Sequence, residues 1–179
     1  MNKQQTNPTY STLAKVLHWL TALTVFAMFA VGVWMVELDY YSSWYRTAPN
    51  YHKSVGILLA LLVMFRLVYK TLKPRVQAIP SHSKLVKTTS RLVHYLLYLL
   101  LLMLFISGYL ISTADGRGIE VFNWFMVPSL GELVANQEDI AGEVHEIIAY
   151  SLIALVILHA LAAIKHHVFD KDETLKRML

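Results

Sequence analysis

Four stretches of this chain are too apolar and too long to sit comfortably in water. Residues 17–36 are interrupted only by His18 and a few small polar groups. Residues 57–69 carry Arg66 and extend back through Val55 to His52, and residues 92–111 and 147–164 complete the set. A helix of about twenty residues covers roughly 30 Å, the thickness of a bilayer's hydrocarbon layer. A soluble domain of 179 residues has no use for 56% hydrophobic side chains and a mean hydropathy of +0.46. The expected fold is an all-α membrane protein, a four-transmembrane-helix bundle. It is read as a single domain over residues 1–179, with spans near 16–37, 52–72, 91–112 and 141–165. The first apolar run is too long for the core of a cleaved signal, and Glu37-Leu38-Asp39-Tyr40 offers no small-residue cleavage site, so it is expected to stay as a helix.

Charge orients the bundle. Thirteen of the sixteen lysines and arginines fall on one side: Lys3 and Lys15; Arg66, Lys70, Lys73, Arg75, Lys84, Lys87 and Arg91; Lys165, Lys171, Lys176 and Arg177. Only Arg46, Lys53 and Arg117 fall on the other. The positive-inside rule then predicts that both termini are cytoplasmic. Trp34, Tyr40, Tyr41, Trp44, Tyr45, Tyr51 and Trp124 gather near the outer loops and Trp19 near the inner edge, as an interfacial belt would. Leu72-Lys73-Pro74 and Ile79-Pro80 end the second span, leaving a basic inner link able to lie against anionic headgroups. In the long outer loop, the apolar run from Val121 to Pro128 is too short to cross and is expected to be an interfacial or re-entrant cap over the bundle mouth.

Histidines supply the chemistry. Ionisable groups inside a membrane are costly and are usually kept for function. His145 and His159 are separated by about four helical turns, so they share one helix face and stand roughly 21 Å apart along the axis. His18 begins a span running outward and lies level with His159; His52 begins a span running inward and lies level with His145. A lone membrane histidine is usually a packing residue, but four at two matched depths predict axial ligation of two non-covalent b-type haems. The inner pair is His18 with His159 and the outer pair His52 with His145. Absence of cysteine excludes disulfides, thiolate-ligated haem, covalent haem and self-held iron–sulfur clusters. Zinc is disfavoured, because zinc sites usually mix histidine with carboxylates near water.

Small and basic residues add detail. Gly32 lies about four turns after His18, Gly56 one turn past His52, and Gly142 almost one turn before His145; each could let a flat macrocycle approach the backbone. Arg66, about four turns after His52, is a candidate contact to a haem propionate, with snorkelling to headgroups as the equal alternative. His166, two turns past His159, and Trp19 are candidates for a quinone site. His94 is expected to pack or touch substrate, though it could compete as a ligand, and His82 shows no partner.

Leu17-His18-Trp19-Leu20, then His52-Lys53-Ser54-Val55-Gly56, then His145-Glu146, then Leu158-His159-Ala160 with Lys165-His166-His167, resemble the bacterial cytochrome b561 family over essentially the whole chain. The tail Asp170-Lys171-Asp172-Glu173-Thr174-Leu175-Lys176-Arg177-Met178 looks like that family's as well. The resemblance implies a four-helix bundle of the bacterial inner membrane with two haems b. It also implies transfer of electrons from periplasmic superoxide to ubiquinone, a superoxide:ubiquinone oxidoreductase type of activity. Expected partners are membrane lipid, ubiquinone, and superoxide or a periplasmic redox protein, with no nucleic acid. Nine acidic residues on the outer side against three basic ones sit awkwardly with an anionic substrate, unless Lys53, Arg46 or Arg117 forms a local positive funnel. Two alternatives stay open: a ubiquinol-oxidising cytochrome feeding a periplasmic redox protein, and a haem-bearing anchor subunit of a larger oxidoreductase.

Overall fold

The computed structural model describes residues 9–73, 76–77 and 79–179. Residues 1–8, with Lys3, and Pro74 and Arg75 of the basic link lie outside the described residues. Four helices, α1 (Thr12–Val36), α2 (Thr47–Leu72), α3 (Lys84–Thr113) and α4 (Gln137–Val168), form an up-and-down bundle. Each is long and apolar enough to cross a membrane.

α1 and α3 start with polar caps. The Ala14 N–H donates to Ser11 Oγ and the Val86 N–H to Ser83 Oγ, both at 3.3 Å, satisfying amide groups that a helix start leaves without partners. α4 carries Glu138 and Asp139 in its first turn and Lys165, His166 and His167 in its last, the charge order its dipole favours.

α1 packs chiefly on α2, and α3 on α4. Large apolar side chains such as Leu23, Phe26, Leu61, Met64, Leu102, Ile147 and Leu158 are exposed, so the bundle presents hydrocarbon outward as a lipid-facing wall requires. The packed centre is Val25, Leu59, Val63, Leu101 and Leu152, at least one from every helix.

That centre has a regular register. Val25 lies about two turns from both His18 and Gly32; Leu59 from His52 and Arg66; Leu101 from His94 and Gly108; Leu152 from His145 and His159. Each helix therefore carries one central apolar residue and one special residue toward each end on the same face. His18, Arg66, His94 and His159 mark the end that holds the start of α1 and the C-terminal tail. Gly32, His52, Gly108 and His145 mark the loop end.

The outer loop's apolar run is a short antiparallel hairpin, with β1 (Ile119–Val121) paired to β2 (Phe125–Val127), and not a re-entrant helix. Val121 is fully buried, and the hairpin rests on α2. Its turn places Phe122 and Asn123 at φ 47° and 59°. Asparagine accepts that region readily, whereas for phenylalanine it is strained. Ser54 of α2 holds the turn there, donating to the Glu120 carbonyl at 3.2 Å and accepting from the Phe122 N–H at 3.4 Å. The Phe122 ring packs between Tyr51 and Trp124, with centroids 5.9 and 5.5 Å away. Trp34 on Trp44 and Tyr40 on Tyr45 extend this aromatic rim around the loop end.

Candidate functional site

At the loop end the His52 and His145 rings lie with centroids 6.4 Å apart and planes inclined at 71°. Metal–imidazole nitrogen bonds are about 2 Å, so a metal ion gripped between two imidazoles separates their centroids by roughly 6 Å. Ser107, buried on α3, donates its hydroxyl proton to the Leu104 carbonyl at 3.0 Å. It can therefore only accept from His145, whose Nδ1 lies 3.0 Å away, so Nδ1 carries the proton and Nε2 keeps its lone pair. This partner orients the ring and selects its tautomer, as supporting residues around a metal ligand do. His52 Nδ1 is buried without a partner.

Glycine makes room for both rings. A Cβ on Gly108 would come within 3.1 Å of His145 Cε1, and one on Gly32 within 3.4 Å of His52 Cε1. Gly32 thus lies at the depth its spacing from His18 predicts. Gly56 meets only the Met28 terminus at 3.7 Å, and Gly142 meets nothing within 4 Å, so neither clears space for a histidine.

The other end is more crowded. Arg66 donates to His18 Nδ1 at 2.8 Å. A neutral imidazole that accepts at Nδ1 carries its proton on Nε2, so His18 must lose Arg66 before Nε2 can bind a metal. His18 stands within electrostatic range of His159 and His94. His94 and His159 pack edge to face at 5.1 Å, and His94 Nδ1 donates to the Ser90 carbonyl at 2.6 Å, leaving its Nε2 bare. Residues 18, 66, 94 and 159 therefore converge, with His94 contributing more than its sequence position suggested.

The two residues proposed for quinone separate into different surroundings. Trp19 packs edge-on against His18 at 5.6 Å and donates its indole N–H to the Met178 carbonyl at 2.8 Å. It lines a mostly apolar groove of about 470 Å³ with Lys15, Val16, Leu20, Met178 and Leu179. His166 belongs instead to a cluster with Asp170, Asp172 and His82. The reading of His82 as unpartnered is corrected: its Nε2 lies 2.7 Å from Asp172 Oδ2, because the tail folds back against the link between α2 and α3. Arg177 completes that fold by donating to the Gln77 carbonyl at 2.7 Å.

Sequence reasoning missed Ser107, Ser54 and Gly108. Gly108 was within reach of the spacing argument, since it follows His94 by the same about four turns that separate Gly32 from His18. The roles of Ser107 and Ser54 depend on contacts between helices and leave no periodic mark.

The result is a four-helix bundle of membrane-spanning type with a histidine pair near one end and a histidine–arginine cluster near the other. Residues 9–179 match the family model described as prokaryotic cytochrome b561. The chain is 45% identical over 179 residues to "Cytochrome b561 homolog 2" of Escherichia coli (strain K12), an alignment covering 100% of this chain and 95% of that protein. It is 29% identical over 171 residues to "Probable superoxide oxidase CybB" of Yersinia pestis, covering 95% of each chain. It is 28% identical over 167 residues to "Cytochrome b561 homolog 1" of Escherichia coli (strain K12), covering 91% of this chain and 92% of the relative. The chain belongs to the prokaryotic cytochrome b561 family. It is a multi-pass bacterial membrane protein of electron transfer, and its family implies binding of haem b.

Proposed function

We infer that this protein carries two b-type haems and moves electrons across the inner membrane between a periplasmic donor and the ubiquinone pool. The observation that carries the reading is the shared register of the four helices, which stacks two sets of ligand-type residues on either side of one apolar layer. His52 and His145 would hold the haem of the loop end, and His18 and His159 the haem of the other end. Haem b, when bound, supplies reversible one-electron chemistry at iron. Two histidines holding each haem would favour outer-sphere electron exchange over oxygen activation. Val25, Leu59, Leu101 and Leu152 keep water out of the space between the two levels. Arg66, released from His18, would neutralise a propionate.

The charge distribution supports cytoplasmic termini, which sets the loop end in the periplasm. Quinone would then arrive from the inner leaflet through the groove beside Trp19, whose apolar walls suit an isoprenoid tail. Superoxide as donor follows the name of the Yersinia pestis relative. The reading is tested on purified protein by quantifying haem per chain and following its reduction by superoxide and reoxidation by a soluble ubiquinone analogue. Two haems per chain with both half-reactions sustain it; a colourless protein, or one inert to both reactants, ends it.

One observation favours the reverse direction. Of the three outer cations, Arg117 is bound to Asp115, its Nε 2.6 Å from Oδ2, so it adds little to a funnel for an anion. An acidic face suits docking of a basic redox protein fed by ubiquinol. Comparing rates of haem reduction by ubiquinol and by superoxide separates the two.

A further inference from the structure

His82, in the α2–α3 link, comes together with His166 in the last turn of α4 and Asp172 just past it in the tail, more than eighty residues further along the chain. One ligand atom from each lies within 4.8 Å of the others, with Asp172 Oδ2 2.7 Å from His82 Nε2 and 3.5 Å from His166 Nδ1. The two rings stand 5.0 Å apart. All three side chains are largely sheltered, at 17%, 18% and 10% exposure.

The backbone has been shaped to bring them there. After α4 the chain reverses through Lys171, a non-glycine residue at φ 53°, and the Asp172 N–H closes the turn on the His166 carbonyl at 3.1 Å. A left-handed lysine is strained and persists only where surrounding contacts impose it. Asp172 Oδ1 then accepts the Thr174 N–H at 2.8 Å, which aims Oδ2 at the histidines. Burial alone would raise the Asp172 carboxyl, but hydrogen bonds from His82 and Thr174 outweigh it and hold the group down at about 2, so it is a standing carboxylate. His166 Nδ1 has no hydrogen bond of good geometry, although Asp170 Oδ2, itself bound by Lys165, approaches to 2.6 Å.

We propose that His82, His166 and Asp172 form a binding site for a divalent transition-metal ion of the zinc type, separate from the haem-bearing interior. The donor set is the two-imidazole, one-carboxylate kind that zinc accepts, whereas calcium and magnesium call for oxygen ligands throughout. Ligand atoms of a tetrahedral zinc ion, each about 2.0–2.2 Å from the metal, stand roughly 3.3–3.5 Å apart. The His166–Asp172 separation is already 3.5 Å. The His82–Asp172 separation of 2.7 Å is that of a shared proton, and the ion displaces this proton as it opens the pair by under about 1 Å. Water or Asp170 completes the coordination. The ion fastens the α2–α3 link to the tail, whose last residues reach α1 through Trp19 to Met178 and Lys15 Nζ to the Leu179 carbonyl at 2.9 Å. It thereby holds the cap over the terminal end of the bundle.

The test is calorimetric titration of ZnCl2 into the full-length protein, stripped of metal by chelation and kept in detergent, beside His82→Gln and Asp172→Asn. Wild type is expected to take up one zinc per chain, undiminished by excess MgCl2, with at least tenfold weaker binding in each variant at unchanged helix content. Zinc should also slow tryptic cleavage after Lys171 and Lys176 in wild type. That second readout keeps the proposal testable should either variant misfold. Wild type without saturable zinc binding, variants that bind as wild type does, or a tail cleaved equally fast with and without zinc would each overturn it.

Discussion

The two ends of the bundle use the same helical register but arrive at different states of readiness. At the loop end, each histidine faces a glycine on the neighbouring helix: His52 against Gly32, His145 against Gly108. The ring centroids lie 6.4 Å apart, and Ser107 has already chosen the His145 tautomer that frees Nε2. At the terminal end the glycine positions are occupied by Arg66 and His94. Arg66 binds His18 in a way that blocks Nε2, while His94 leans on His159 with its own Nε2 bare. Small residues pre-arrange a site by leaving space; polar residues in the same register arrange it by competing hydrogen bonds. One end is spaced by glycines, and the other is knit together by hydrogen bonds.

The largest effect expected from this contrast is in haem content. On the proposed two-haem reading, His52→Ala or His145→Ala should each remove one haem outright, read by pyridine haemochrome quantification, because no spare imidazole stands at that level among the described residues. His18→Ala should retain part of the second haem through His94, and the double change with His94→Ala should lose it. Equal and complete loss in His18→Ala alone would break the comparison.

Next in size is Ser107→Ala, which removes the group orienting His145. Changes of this kind typically cost about 10–100-fold in metal affinity, so haem at the loop end should dissociate more readily to an apo-myoglobin scavenger while the other haem is retained. Arg66→Leu should act at the opposite end, lowering only the more sensitive of two midpoint potentials in a spectroelectrochemical titration as a nearby positive charge is lost. A shift of both potentials alike would mean that the levels are not insulated. The smallest effect belongs to Ser54→Ala. It removes the partner of the part-buried Phe122 N–H and of the Glu120 carbonyl and should lower stability by about 0.5–1.5 kcal/mol in detergent unfolding, with haem content unchanged.

Much of this was legible in the residues. Four apolar stretches demanded four helices, because backbone polar groups in lipid can be satisfied only within a helix or a closed barrel. Separations of about four turns placed His18, Arg66, Gly32, His52, His145 and His159 at two depths, since helical pitch converts spacing directly into height and face. Less was legible where the chain leaves the membrane. The run from Val121 to Pro128 became a hairpin because Ser54 on a different element holds its turn, a contact that hydropathy does not report. His82 acquired Asp172 and His166 only because Lys171 reverses the tail.

Periodicity and hydropathy are local properties of a chain, so the sequence by itself determined the membrane helices, their number and the depth of each histidine. Which histidine nitrogen is free, which glycine faces which ring, and how the tail covers the bundle were decided by the tertiary structure. Those outcomes depend on side chains from different helices meeting within hydrogen-bonding or van der Waals distance, and no spacing along one helix encodes its neighbour's position.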